Sequence, residues 1–122
     1  LKQLAQSGSE GAKQLWLKNP NISIAMTEEP TKGGLPYFRG EVQKLLTARL
    51  WNFYHTSFSI SSSPGYPDLT LWRERIIFAE LKSETGQLSD HQANTVEALK
   101  RAGAEVYVWR PSDWNKIVNL LW

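Results

Sequence analysis

An α/β fold, with elements in the order helix, strand, strand, strand, helix, strand, helix (α-β-β-β-α-β-α), is predicted by three features of the sequence. Apolar side chains recur at three- and four-residue intervals after Gly40. Two β-rich runs are separated only by the polar residues Arg73-Glu74-Arg75. A helix-start signature, Ser89-Asp90-His91-Gln92, precedes one more β-rich run. The chain has 122 residues, 41% hydrophobic and 21% charged, which is the make-up of one globular domain burying roughly two-thirds of its unfolded surface. Disordered, collagenous and coiled-coil classes are excluded on that composition. No apolar run approaches the roughly 18 to 20 residues that span a bilayer, so no membrane partner is expected. Cysteine is absent, which removes a disulfide framework, a thiolate zinc site and a cysteine nucleophile, and agrees with a cytoplasmic location. The first residues show neither a basic flank with an apolar core nor a small-residue cleavage site, so no signal peptide is expected there. The formal charge of +2 is too mild to argue nucleic acid by itself.

The elements follow in order. Residues 1–36 hold Gly8, Gly11, Pro20, Pro30, Gly33, Gly34 and Pro36 and read as an irregular arm with one helical turn over Ala12 to Lys18; a single domain is expected over 37–122. Val42, Leu45, Leu46, Arg49, Leu50 and Phe53 describe one face of a helix running from Gly40 to about Leu50. Trp51-Asn52 is read as the turn into a short strand, Phe53 to Thr56. A serine-rich loop, Ser57 to Pro67, is mobile by composition. Asp68 to Trp72 and Ile76 to Lys82 form a hairpin closed by Arg73-Glu74-Arg75. Ser89 and Gln92 make a capping box, Leu88 and Ala93 a hydrophobic staple, and Val96, Leu99 and Ala102 the buried face of a helix that Gly103 stops. Glu105 to Trp109 is the last strand; Pro111 breaks it and Ser112 caps a helix carrying Trp114, Ile117, Val118 and Leu121.

The chemistry sits on the second hairpin strand. Side chains alternate along a strand, so Glu80 and Lys82 share one face while Ala79 and Leu81 share the other. Two charges beside the apolar run Ile76 to Ala79 need partners, because burying either one alone costs several kcal/mol or more. Asp68 opens the paired strand, about 5 Å away, at the same end of the sheet. Two adjacent carboxylates repel, and a divalent cation keeps both ionised. Mg²⁺ commonly takes one or two carboxylates, waters and phosphate oxygens, which Asp68, Glu80 and the backbone carbonyl of Leu81 suit. Lys82 is placed to orient water or to answer charge growing on a phosphate. The alternative is a solvated Glu80–Lys82 pair on an edge strand, with Asp68 following a turn-forming proline.

Three segments carry a resemblance: Gly65-Tyr66-Pro67-Asp68-Leu69; Ala79-Glu80-Leu81-Lys82-Ser83-Glu84-Thr85-Gly86-Gln87-Leu88-Ser89 with Gln92; and Gly103 through Trp109 to Arg110-Pro111-Ser112-Asp113. Together they resemble the VRR-NUC family of the PD-(D/E)xK nuclease superfamily, over roughly Glu41 to Leu121. The resemblance implies a restriction-endonuclease-like core, a mixed sheet flanked by helices. It implies a metal-dependent DNA endonuclease using Mg²⁺ or Mn²⁺, with branched DNA such as Holliday junctions as a substrate class for some members, many of them small phage or bacterial proteins. By the same resemblance Asp68 and Glu80 are metal ligands, Lys82 is the catalytic lysine and Gln92 an accessory site residue. The family also places a glutamate on the first core helix. Glu41 is the candidate, although the family pattern favours an acid two positions earlier, where Arg39 stands; its alternative role is a carboxylate at a helix N-terminus favoured by the macrodipole. Leu50-Trp51-Asn52 stands where a Gly-Trp turn is more usual in the family, with Asn52 able to adopt a left-handed conformation.

Other residues are weighed on both readings. His55 closes the strand after the first helix and is a candidate for a phosphate or metal-bound water, against the commoner role of a structural histidine. Ser63 in the serine loop and Lys44 on the first helix are candidates for DNA contact; single helix-face lysines are usually only solvated. His91 is expected to face solvent. Trp72, Trp109 and Trp114 are expected in the core, whereas Trp16, Trp51 and Trp122 are left for an interface between subunits, consistent with a homodimer in which two-fold symmetry supplies paired cuts. Competing functions are a nuclease-fold module that binds DNA without cutting it and a restriction-type nuclease.

Overall fold

The computed structural model describes residues 34–56 and 64–122. The expectations for the arm up to residue 33 and for loop residues 57–63, including Trp16 and Ser63, lie outside the described residues. Helix α1 (Gly34–Ala48) is followed by β1 (Asn52–His55), β2 (Leu69–Trp72), β3 (Ile76–Leu81), helix α2 (Asp90–Arg101), β4 (Glu105–Trp109), a 3₁₀ turn (Pro111–Asp113) and helix α3 (Trp114–Leu120). The sheet order is β1-β2-β3-β4. β1 and β2 are antiparallel, as are β2 and β3, with Leu69 opposite Ala79 and Leu71 opposite Ile77. β4 runs parallel to β3, with Glu80 opposite Val108, and α2 supplies the crossover that a parallel pair requires. The predicted mixed α/β architecture and its element order are those observed.

One face of the sheet is the core. Leu69, Leu71, Ile77, Ala79, Leu81 and Trp109 pack with Phe38, Val42, Leu45 and Leu46 of α1 and with Trp114, Ile117 and Leu121 from the C-terminal helix and its end. The other face is covered more thinly, by α2, where only Val96 is fully buried. Of its expected apolar stripe, Leu99 is half-buried and Ala102 is exposed, because α2 lies over β4 rather than over the middle of the sheet. Its start is as read: Gln92 N–H donates to Ser89 Oγ and Ser89 N–H to Gln92 Oε1. Gly103 ends it with φ +89°.

Several boundaries move. α1 starts at Gly34, not at Gly40, since Pro36 falls in the first turn, where its missing N–H would have no helical partner anyway, and Phe38 extends the buried stripe backward. The helix ends in a Schellman arrangement in which Trp51 N–H donates to Leu46 O at 2.9 Å and Leu50 N–H to Thr47 O at 3.2 Å. The left-handed residue is therefore Leu50, with φ +62°, and not Asn52. Asp113 stands at the N-cap position of the last helix without a side-chain cap bond to it, its carboxylate instead accepting the Arg110 N–H at 2.9 Å; Ser112 lies inside the 3₁₀ turn that Pro111 opens.

The tryptophans also redistribute. Trp51, expected at an interface, is buried and donates its indole N–H to Leu121 O at 3.0 Å, while Arg73 stands over its ring at 4.5 Å. The Arg49 guanidinium lies 3.5 Å from the Trp122 ring centroid and donates to Val118 O. Burial first, and the charge of Arg73 second, lower Arg49 to about 10. Arg73 donates to Arg49 O at 3.0 Å and Trp122 O at 2.7 Å. Both tryptophans are thus engaged within the molecule. Trp72, expected in the core, is 40% exposed on the thinly covered face, next to exposed Ile76 and Tyr54.

Candidate active site

Asp68 and Glu80 interlock across the β2–β3 ladder, one rung beyond the Leu69–Ala79 pair. Asp68 N–H donates to Glu80 Oε1 at 3.1 Å, and Leu81 N–H donates to Asp68 Oδ2 at 2.9 Å. Glu80 is 1% exposed, and its second oxygen, Oε2, is buried with no hydrogen bond. Lys82 Nζ lies 3.9 Å from that oxygen, its side chain 17% exposed. Burial, followed by the charge of Asp68 and a hydrogen bond shared with it, pushes the Glu80 carboxyl up to about 7, while Lys82 pulls the other way. A buried carboxylate with one orphan oxygen, a second carboxylate and an ammonium nearby is a site short of positive charge.

Among the described residues no group of three or more His, Asp or Glu side chains is placed to hold a metal. The donors shown at this point are two carboxylates, both hard oxygen ligands. A small oxygen set of this kind suits Mg²⁺, which retains waters and rarely occupies an all-protein cage.

Two residues that position Asp68 were given no role by the sequence. Thr56 holds the approach from the β1 side, its N–H donating to Asp68 O and its hydroxyl to Pro67 O, both at 2.8 Å. Gly65 holds it from the other side. With φ +87°, Gly65 sits so close to α2 that an added Cβ would meet His91 O at 2.4 Å and Gln92 N at 2.9 Å. The Pro67-Asp68 segment is thereby pinned to the helix start that carries Gln92. The turn-forming composition around Gly65 signals a bend, but nothing local signals which helix it abuts.

The remaining candidates disperse. Gln92 lies beside this segment, with its side-chain oxygen committed to the cap. Glu41 is buried in the middle of α1, far from the helix N-terminus, so the macrodipole role does not apply. Its Oε1 accepts from Lys44 Nζ at 3.3 Å and its Oε2 is a second buried oxygen with no hydrogen bond. Lys44 is exposed apart from that pair. His55 stands opposite Leu69, hence on the α1 face and not the face of Glu80; its buried Nε2 has no hydrogen bond. His91 is exposed, as expected.

A family model described as the VRR-NUC domain matches residues 35–113. A solved structure described as a VRR_NUC domain is similar at 28% identity with a TM-score of 0.50, over 66% of this chain and 92% of that one. No curated protein matches significantly.

Proposed function

The chain belongs to the VRR-NUC domain family, which makes it a nuclease with DNA as substrate, and from that premise we propose that it hydrolyses phosphodiester bonds with Mg²⁺ or Mn²⁺ held at Asp68 and Glu80. The observation that carries this reading is the buried Glu80 Oε2, without a hydrogen bond, beside Asp68 and Lys82, an arrangement that calls for a cation. Asp68, Glu80 and the Leu81 carbonyl would hold the ion. When bound, such an ion supplies charge to a scissile phosphate and lowers the pKa of water.

The chain's own groups do the rest. The Asp68 and Leu81 amides fix the two carboxylates against each other, so that they need little reorganisation. Lys82, held close to Glu80, answers negative charge that develops on the phosphate. Gln92, at the first turn of α2, lies where free amides favour an anion. Lys44, exposed on α1, is the proposed DNA contact from that helix.

Branched DNA is the proposed substrate, and a homodimer the proposed assembly, because paired symmetric cuts in a four-way junction need two sites and two-fold symmetry supplies them. Trp51 and Trp122 are engaged internally and do not supply that interface. Light scattering should give twice the 13.9 kDa chain mass without DNA and two chains per junction with it; one chain under both conditions refutes the dimer.

The mechanism is tested by labelled linear, flap and four-way substrates with and without Mg²⁺. Asp68→Asn and Glu80→Gln should nearly abolish cleavage while keeping the fold and most DNA affinity. Lys82→Ala should lower the rate by about two to three orders of magnitude. Mn²⁺ should replace Mg²⁺, whereas Ca²⁺ should support binding only. Undiminished cutting in EDTA, or full activity in either carboxylate variant, overturns the mechanism. Junction binding without cutting under any metal would instead favour a binding module.

A further inference from the structure

We propose that Arg110 is a positioning residue that folds the loop after β3 against Lys82 and so holds its amine beside Glu80. This rests on the role given to Lys82 above. Arg110 directly follows β4 and is half-buried. Its Nη1 donates to two carbonyls of that loop, Ser83 O at 2.7 Å and Gly86 O at 2.6 Å. The bend so gathered is reinforced from within, since Gly86 N–H donates to Ser83 Oγ at 3.0 Å. A second tie comes from the same strand end: Ser112 N–H donates to Glu84 Oε2 at 2.9 Å.

The bend touches the lysine itself. A Cβ at Gly86 would come to 3.6 Å from Lys82 Cδ, ordinary contact, and to 2.9 Å from Ser83 Oγ, so the bend runs alongside the lysine stem. At its other end Lys82 is fixed by its own N–H, which donates to Trp109 O at 2.9 Å, the residue next to Arg110. A lysine on a four-carbon stem has many rotamers and gives its full electrostatic effect in only a few of them. Backbone pairing at one end and the Arg110-held bend along the stem restrict it to the few that approach Glu80. A planar guanidinium suits this task better than an ammonium, because its donors lie in a fixed fork.

The discriminating experiment is a double-mutant cycle on single-turnover cleavage, with Mg²⁺ and DNA saturating and a substrate that the wild type cuts. Arg110→Ala should slow cleavage by roughly 10- to 100-fold, the scale of a misplacement of about 1 Å, with DNA affinity unchanged within about two-fold. In a Lys82→Ala background the same substitution should change the rate by less than about three-fold, because the group it positions is gone. An equal loss in both backgrounds means a general structural effect and overturns the inference, as does no loss in either. If Arg110→Ala does not fold, Arg110→Lys, which keeps the charge and loses the fork, is read by the same cycle with the same criteria. A Lys82→Ala enzyme at full rate would instead refute the role assigned to the lysine, whereas a slow Lys82→Ala beside an unimpaired Arg110→Ala would refute only the positioning role.

Discussion

Glu80 makes the metal-free protein's stability depend on pH. Its carboxyl is raised from an ordinary 4.5 to about 7, by burial first, so the folded state holds a proton more tightly than the unfolded chain does. The stabilisation is fully present below the unfolded pKa and is lost as pH rises through 7, on the order of 3 kcal/mol in all. Thermal melts of metal-free protein should therefore fall in midpoint between about pH 5 and pH 8, and Glu80→Gln should flatten that fall; parallel profiles would contradict the assignment. A neighbouring single-residue cost lies at Leu50, a β-carbon-bearing residue at φ +62° and 75% exposed. Left-handed backbone costs such a residue roughly 1 to 2 kcal/mol, against a smaller entropic cost for glycine. Leu50→Gly should raise the melting temperature by a few degrees with cleavage unchanged, and a lowered midpoint would show that Leu50 makes a compensating contact.

Between elements, the decisive joint is the one between the segment leading into β2 and the start of α2. Gly65→Ala would place a methyl group on backbone atoms of His91 and Gln92 and strain a positive φ, a combined cost of roughly 2 to 4 kcal/mol. It should lower stability and weaken Mn²⁺ binding by calorimetry, because relief requires the Pro67-Asp68 segment to move; wild-type metal affinity would show that the joint does not position Asp68. This joint also marks the limit of what the sequence discloses. The hairpin at Arg73 to Arg75, the Ser89–Gln92 box and the approach of Asp68 to Glu80 are encoded by strand alternation and cap chemistry within short windows, and they were legible. The start of α1 at Gly34 was not, because glycines and Pro36 read locally as breakers. Nor was the exposure of Trp72: alternation assigns a side chain to a face but does not say whether a helix covers it. The positioning roles of Thr56, Gly65 and Arg110 were hidden for the same reason, since each acts through a contact with another part of the chain.

For the whole molecule, the core is one-sided, with α1 and the C-terminal helix over one face of the sheet and a lighter α2 over the other. DNA affinity should be mainly phosphate-based, with log K falling by about 0.9 per phosphate neutralised as log salt rises; an affinity indifferent to salt would point to base contacts instead. The seam between α1 and α3 is fastened by ties far apart in sequence, Arg49 to Val118 across 69 positions and Trp51 to Leu121 across 70. Contacts of such separation give little return until most of the chain is already ordered, whereas the hairpin pairs close early at small entropic cost. The seam thus belongs to the downhill side of the folding barrier. Leu121→Ala, which removes about 2 to 5 kcal/mol of packing, should leave the refolding rate nearly unchanged and appear almost wholly as faster unfolding, so that the lifetime of the native state, and not the speed of reaching it, is set where the two ends of the domain meet.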